Sequence, residues 1–380
     1  MYWLAIFALV VTLGLSVEAI WGLHRLVRLT ECPAGESVPT PQVSIVVAAR
    51  DEQRNIETGV RSMLSQQYSR LEVVVVDDRS TDQTGSILDR IAATEPRLTV
   101  VHLTDLPRGW LGKNHALQCG ADRGSSEWIL FADADIQMGP DTVGRAVRYA
   151  EANGVDHLAV APDIIMPGPL LSAFVVHFLY SFLAFTKPWK AKDPKSWFFV
   201  GVGAFNLVRR TAYQGVDGHR RIALRPDDDL KLGKILKRAG WRQDALLGFR
   251  MVSVEWYHSL GEMIRGFEKN MFAGIDYSIA LSLAGGLIQL INGVLPPVAL
   301  LLTRGPTQAL FAVQVVIAIG TYYRLAREAR MSGVVALLYP VVVLLFVYIM
   351  WRTMILNLVH GGLQWRGTFY SLKQLKANRV

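Results

Sequence analysis

Apolar residues gather at the two ends of the chain, while the middle alternates short β-branched runs with polar stretches of helical period. Residues 1–17 carry no charge, Glu18 interrupts, and Ala19-Ile20-Trp21 resumes the apolar run. No basic segment precedes this run and no small-residue cleavage site follows it, so residues 1–23 read as a retained membrane anchor. Three further uncharged runs cover residues 277–303, 305–323 and 331–351. A helix needs about 20 mostly apolar residues to cross the hydrocarbon core, so each run is long enough. A fourth run, residues 164–186, opens on Pro167-Gly168-Pro169, contains His177 and ends beside Lys187, Trp189, Lys190 and Lys192. Aromatic and Lys residues at one end predict a helix lying in the membrane interface and not a crossing. Arg25 and Arg28 after the first run, with Arg324, Arg327 and Arg330 after residues 305–323, put the middle of the chain on the cytoplasmic side. The basic tail, residues 359–380 with Arg366, Lys373, Lys376 and Arg379, obeys the same rule only if residues 331–351 do not cross fully.

Between about residues 38 and 161 the pattern predicts strands over 43–47, 71–76, 98–103 and 128–131. Near-continuous Val and Ile runs imply burial on both faces, hence a mostly parallel sheet covered by helices. Those helices are expected over 53–66, 82–93 and 114–121, with Ser80-Thr81-Asp82 supplying cap chemistry for the second. In such sheets ligands sit at the carboxyl ends of the strands.

Composition narrows the class. Of 380 residues, 51% are hydrophobic and 19% charged, against roughly 25% charged in a soluble globular protein. That balance excludes a disordered chain and argues against a purely soluble enzyme. Cys32 and Cys119 are the two cysteines, too few for a disulfide framework. Forty Lys and Arg against 32 Asp and Glu leave a charge of +8, modest for this length. It suits an anionic membrane surface or a phosphate-bearing substrate, and no nucleic-acid partner is expected.

The second strand runs into Asp77-Asp78 and the fourth into Asp133-Ala134-Asp135. One Asp-x-Asp alone is commonly a solvated turn. Two acidic clusters at strand ends of one sheet instead suit a hard cation that also takes phosphate oxygens. Between them, Gly109 and Gly112 bracket a turn that opens a helix, with Lys113 near its N-terminus as an anion site. No Gly-x-Gly-x-x-Gly or Walker pattern occurs, which removes dinucleotide dehydrogenases and P-loop enzymes. Downstream, Asp227-Asp228-Asp229 precedes a helix over 230–239, ended by Gly240-Trp241, and follows a glycine-rich strand expected over 200–205. A helix dipole accounts for some acid there, but three mutually repelling carboxylates exceed what capping needs.

With these motifs in place, the chain resembles the membrane-anchored family 2 glycosyltransferases of the GT-A type over roughly residues 41–273. Within that group it is most similar to bacterial hopanoid-associated, carotenoid and ceramide glycosyltransferases. The resemblance implies an α/β, Rossmann-like nucleotide-diphospho-sugar transferase domain over residues 38–275, with a C-terminal membrane region over 277–358. It implies that Ala49, Asp51 and Glu52, with Asp77 and Asp78, hold the nucleoside, although Asp51 stands where the family usually has Asn. Gly112 and Lys113 match the nucleotide-facing loop, and Asp133 and Asp135 match the motif that holds magnesium or manganese. Asp228-Asp229 match the pair containing the general base, here expected to be Asp229, and Gly201, Gly203 and Trp241 are assigned to the acceptor cleft. The family's Gln-x-x-Arg-Trp is absent, and Lys269 is assigned in its place to the departing diphosphate. The activity implied is hexosyl transfer by inverting single displacement, from a UDP-sugar to a lipid acceptor. The setting implied is a multi-pass protein of the cell membrane with a cytoplasmic catalytic domain. A polysaccharide synthase would need more spans and the missing motif. An inactive scaffold would have no reason to keep Asp78, Asp133, Asp135 and Asp229.

Overall fold

The Val- and Ile-rich runs form the middle of an eight-stranded sheet in the computed structural model, which describes residues 1–35 and 39–380. The domain start expected at residue 38 lies outside the described residues. The chain divides into a helical unit, Met1–Arg25, Ile164–Lys187 and Trp256–Lys376, and a sheet unit, Leu26–Asp163, Pro188–Glu255 and Ala377–Val380. In chain order the strands are β1 (Val27–Arg28), β2 (Val43–Ala49), β3 (Leu71–Asp78), β4 (Leu98–Leu103), β5 (Trp128–Asp133) and β6 (Ile136–Met138). Then come β7 (His157–Ala161), β8 (Asp163–Ile165), where the chain passes into the helical unit, β9 (Asn206–Arg209), β10 (Gln243–Leu247) and β11 (Val252–Glu255).

The main sheet has the order β1-β10-β7-β9-β5-β2-β3-β4, and its pairings are parallel except where β9 runs antiparallel between β7 and β5. Ala49 faces Asp77 in the register of β2 and β3, and Ala48 faces Asp133 in that of β2 and β5. Both acidic strand ends therefore finish level at one edge.

Alternate residues of each central strand feed two cores. Ile45, Val47 and Leu130 pack with Val60, Val143 and Val147 on one face. Val46, Val76, Ile129 and Phe131 pack on the other with Leu117 of the helix Gly112–Arg123 and Leu232 and Leu236 of the helix Asp228–Arg238. Each such side chain contributes about 1.5–3 kcal/mol by leaving water. The helix Gly112–Arg123 lies so close to β2 that a Cβ at Gly120 would fall 2.5 Å from Val46.

The strand expected over residues 200–205 does not form; that segment is loop and turn, and β9 begins at Asn206. A Cβ at Gly201 would overlap the Asp229 carbonyl, and one at Gly233 the Val200 carbonyl. Loop and helix thus meet backbone to backbone, which needs glycine on both sides. The C-terminus also belongs to this unit. Asn378 accepts the Leu224 N–H at 2.8 Å and donates to the Arg221 carbonyl at 3.1 Å, and Val380 packs on the second core.

In the helical unit, five helices are long and apolar enough to cross a membrane: Tyr2–Arg25, Gly168–Lys190, Ile279–Leu302, Gly305–Glu328 and Gly333–Val359. Phe7, Leu13, Leu301, Leu302, Val316 and Leu344 stay exposed, as a lipid-facing surface requires. Polar groups turn inward and find partners. Lys187 Nζ donates to both Glu18 oxygens at 2.8 and 2.7 Å, so the acid that interrupts the first apolar run carries its own counterion. Thr12 donates to Asn292 at 3.2 Å and accepts from Gln314 at 2.8 Å. His177 meets the Tyr322 hydroxyl at 2.6 Å and Gln289 Oε1 at 3.1 Å.

Candidate active site

Two loops at the carboxyl edge of the sheet clasp each other. Asp51, at a left-handed φ of 53°, accepts the Thr81 N–H at 2.8 Å, while its own N–H donates to Ser80 Oγ at 3.0 Å. The Glu52 N–H donates to Thr84 Oγ1 at 2.8 Å. Asp82 accepts the Thr84 N–H at 2.9 Å in a turn just ahead of the helix Thr84–Ala92; the cap expected of it falls instead to Gln83, which makes no side-chain cap bond. Asp77 is buried, accepts the Ser80 N–H at 3.2 Å and meets His102 Nδ1 at 3.0 Å, with Asp89 2.9 Å from the other ring nitrogen. Those two hydrogen bonds, to Asp89 and then Asp77, hold the His102 pKa above its ordinary value. Asp78 is also buried, and Arg79 grips both its oxygens at 2.8 and 3.1 Å. Gly112 packs directly on that carboxylate, where a side chain would collide with it.

Lys113 ties the two acidic regions together. Its ammonium lies 2.8 Å from Asp133 Oδ1 and 3.3 Å from Asp228 Oδ1. Burial works against its charge, but Asp133, Asp228 and Asp229 outweigh that and hold its pKa above the usual range. Asp135 is pushed up to about 7, by burial first and then by the carboxylates of Asp133 and Glu52. Carboxylates crowded in this way are stabilised by an added cation. Among the described residues no three His, Cys, Asp or Glu side chains converge as a metal cage. The crowded pair Asp133 and Asp135 could hold a magnesium or manganese ion, with substrate phosphates completing the shell.

The three consecutive acids have three different surroundings. Asp227 is locked by Arg225 at 2.9 and 3.1 Å, with Lys231 at 3.4 Å, and all three are buried. Asp228 faces Lys113. Asp229 has no ion pair among the described residues; its Oδ2 accepts the Gly203 N–H at 2.7 Å and its Oδ1 the Leu230 N–H at 2.7 Å. Burial, and after it the charge of Asp228, push the Asp229 carboxyl up to about 7. Asp229 is thus the acid of the three poised to exchange a proton near neutrality.

The cleft is lined by Lys113, Leu117, Phe131, Ala132, Asp133, Gly203, Asn206, His219, Asp228 and Asp229. Of the sequence-predicted residues it unites Lys113, Asp133, Gly203, Asp228 and Asp229. Gly201 lies one turn of loop away against the Asp229 backbone. Trp241 follows the far end of the helix Asp228–Arg238 and packs by Gly215, outside the cleft lining. Lys269 belongs to the helical unit, its ammonium 5.2 Å over the Trp365 ring. His219 and Asn206 were missed in the sequence; the one local signal for His219 is Asp217-Gly218, where both residues adopt positive φ.

The mostly parallel α/β sheet, with acids level at its carboxyl edge, is a fold of the GT-A type, as the following likenesses show. Residues 44–216, a little under half of the chain, match the family model Glycosyl transferase family 2. The chain shares its fold with a mannosyltransferase from Pyrobaculum calidifontis solved with GDP-Man and Mn2+. The likeness covers 94% of this chain and 97% of that one at a TM-score of 0.52 and 21% identity. It is 25% identical over 245 residues to a 4,4'-diaponeurosporenoate glycosyltransferase of Staphylococcus haemolyticus, covering 63% of each chain. It is 34% identical over 145 residues to a beta-monoglucosyldiacylglycerol synthase of Synechocystis, covering 36% of this chain and 29% of that one. The chain therefore spans less than two thirds of the length of either relative.

Proposed function

We propose that this protein transfers a sugar from a nucleotide-diphosphate sugar to a lipid acceptor in the membrane, by a single inverting displacement at the anomeric carbon. The observation that carries the reading is Asp229, a carboxylate with no ion pair among the described residues, held by two backbone N–H groups beside the Lys113–Asp133–Asp228 cluster. Asp229 takes the proton of the acceptor hydroxyl, and its raised pKa matches that task. Lys113 lies at a helix N-terminus, where ammonium and backbone amides together favour a diphosphate. Asp133 and Asp135 hold the divalent ion, which when bound neutralises charge on the departing nucleoside diphosphate. Asp77 and Asp78, with the Asp51–Thr81 clasp, form the nucleoside end, with Ala49 and Glu52 beside them.

A lipid acceptor is supported by the five apolar helices and by two relatives, one named for a carotenoid carboxylate and one for a diacylglycerol. The sheet unit is proposed to face the cytoplasm, following the positive residues beside the helices. The test is incubation of the purified full-length protein with UDP- and GDP-sugars and a membrane-lipid extract, with mass spectrometry of the products. A new glycolipid formed with release of the nucleoside diphosphate supports the reading. Hydrolysis alone, or no turnover with any donor, overturns the lipid acceptor or the enzyme reading respectively.

A further inference from the structure

His219 is 1% exposed yet lines the cleft beside Asp228 and Asp229, and the transfer mechanism above makes no use of it. Its protonation is dictated by a relay of hydrogen bonds. Gln118 Nε2–H donates to Asp122 at 2.8 Å, which leaves Gln118 Oε1 as the acceptor end of that amide. That oxygen takes the His219 backbone N–H at 3.0 Å and the Tyr213 hydroxyl proton at 2.9 Å. Having given its one proton, the Tyr213 hydroxyl can only accept at His219 Nδ1, 2.8 Å away. The ring therefore carries its proton on Nδ1 and keeps a lone pair on Nε2. Burial, then the charge of Lys113, push the His219 pKa down to about 3, so the ring is neutral. Phe131 meets the ring edge-on at 4.8 Å between centroids and fixes its plane. Nε2 has no hydrogen-bond partner among the described residues.

We propose that His219 Nε2 accepts a hydrogen bond from one hydroxyl of the sugar carried on the nucleotide, making His219 a specificity-determining residue. This rests on the donor site proposed above. The cleft's charged groups already face one another or backbone N–H groups, and Leu117, Phe131 and Ala132 are apolar. His219 shares the cleft lining with Lys113 and Asp133, assigned to the diphosphate, and with Asp229, assigned to the acceptor proton. That region belongs to the sugar. An acceptor that cannot donate selects a hydroxyl and rejects a sugar with no proton to give at that position.

The test uses the full-length protein and measures binding of UDP and GDP, bare and as UDP-glucose, UDP-galactose, UDP-N-acetylglucosamine and GDP-mannose, together with kcat and KM for the donor transferred. His219→Asn keeps a donor near Tyr213 but has no atom at the Nε2 position, whereas His219→Gln brings an amide oxygen there. His219→Asn is expected to bind bare nucleotide within about twofold of wild type while losing about 3- to 10-fold in affinity and KM for the sugar nucleotide. His219→Gln should recover most of that loss. Tyr213→Phe, which releases the tautomer, should weaken the sugar nucleotide but not the bare one, and it decides the matter if His219→Asn does not fold. Unchanged sugar-nucleotide binding, or equal loss for bare and sugar-bearing nucleotide, overturns the proposal. If wild type binds neither nucleotide, the donor site itself falls and the His219 assignment with it.

Discussion

Replacing Asp229 with Asn separates proton transfer from donor binding. The carboxylate accepts two N–H groups at 2.7 Å each, from Gly203 and Leu230. Asn keeps one accepting oxygen and turns an NH2 toward the other N–H, so one charge-assisted bond is lost. The same change removes the charge that burial and Asp228 oppose, which offsets that loss, and the variant is expected to fold. What disappears is the proton acceptor. A positioned base contributes about 10²–10⁴-fold, so turnover is expected to fall at least about 100-fold, or about 2.7 kcal/mol of barrier. Donor affinity should stay within a few-fold, because Lys113, Asp133 and Asp78 are untouched. The pH profile gives an independent reading. A base works deprotonated, so in the wild type the rate should rise with pH through about 7 and then level off. Asp228→Asn removes one cause of the raised pKa and should move that limb to lower pH. Steady-state rates across pH on detergent-purified full-length protein measure both effects. Near-normal turnover in Asp229→Asn, with loss in Asp228→Asn, would refute the assignment and make Asp228 the base.

Other outcomes follow from the same geometry. Arg225→Met leaves the buried Asp227 with Lys231 as its ion-pair partner and should lower the thermal midpoint; a wild-type midpoint contradicts the lock. Gly201→Ala forces the loop off the Asp229 carbonyl and should abolish turnover, whereas Gly14→Ala, with open space around it, should be silent; equal activity in the two rejects the close approach. Excess chelator should stop transfer and manganese or magnesium restore it, and full activity in chelator rules out Asp133 and Asp135 as metal holders. Single cysteines at Asp156, Lys195 and Arg379 should label equally in sealed inverted vesicles, and one site of opposite accessibility breaks the proposed topology.

The parallel strands were legible because burial on both faces leaves Val and Ile in unbroken runs, and no other element of this length reads that way. The acids at the ends of β3 and β5 were legible for the same reason, since a strand's end fixes where the next side chain lies. Three neighbouring aspartates, by contrast, look alike in sequence. Their roles divide only once Arg225, Lys113 and the Gly203 N–H arrive from elsewhere in the fold. The antiparallel β9 was hidden because residues 200–205 carry strand-like Val, Ala and Phe, yet their glycines serve close approach to a helix. Glu18 read as an interruption because its partner, Lys187, lies 169 residues further on.

If the sheet unit lies on one side of a bilayer, as proposed, the docking of Asn378 and Val380 on it carries a parity for the membrane topology. The chain leaves that unit after Asp163 and returns at Pro188, then leaves again after Glu255 and returns at Ala377. A body on one side of a bilayer can only be left and regained through an even number of crossings. The first excursion contains one long helix, Gly168–Thr186, which on the proposed topology would make no complete crossing. The second contains three, Ile279–Leu302, Gly305–Glu328 and Gly333–Val359, which on the proposed topology would not all traverse. On that topology one of them, or all three, would turn back within the membrane or lie along it, and the basic tail would stay on the side of the sheet.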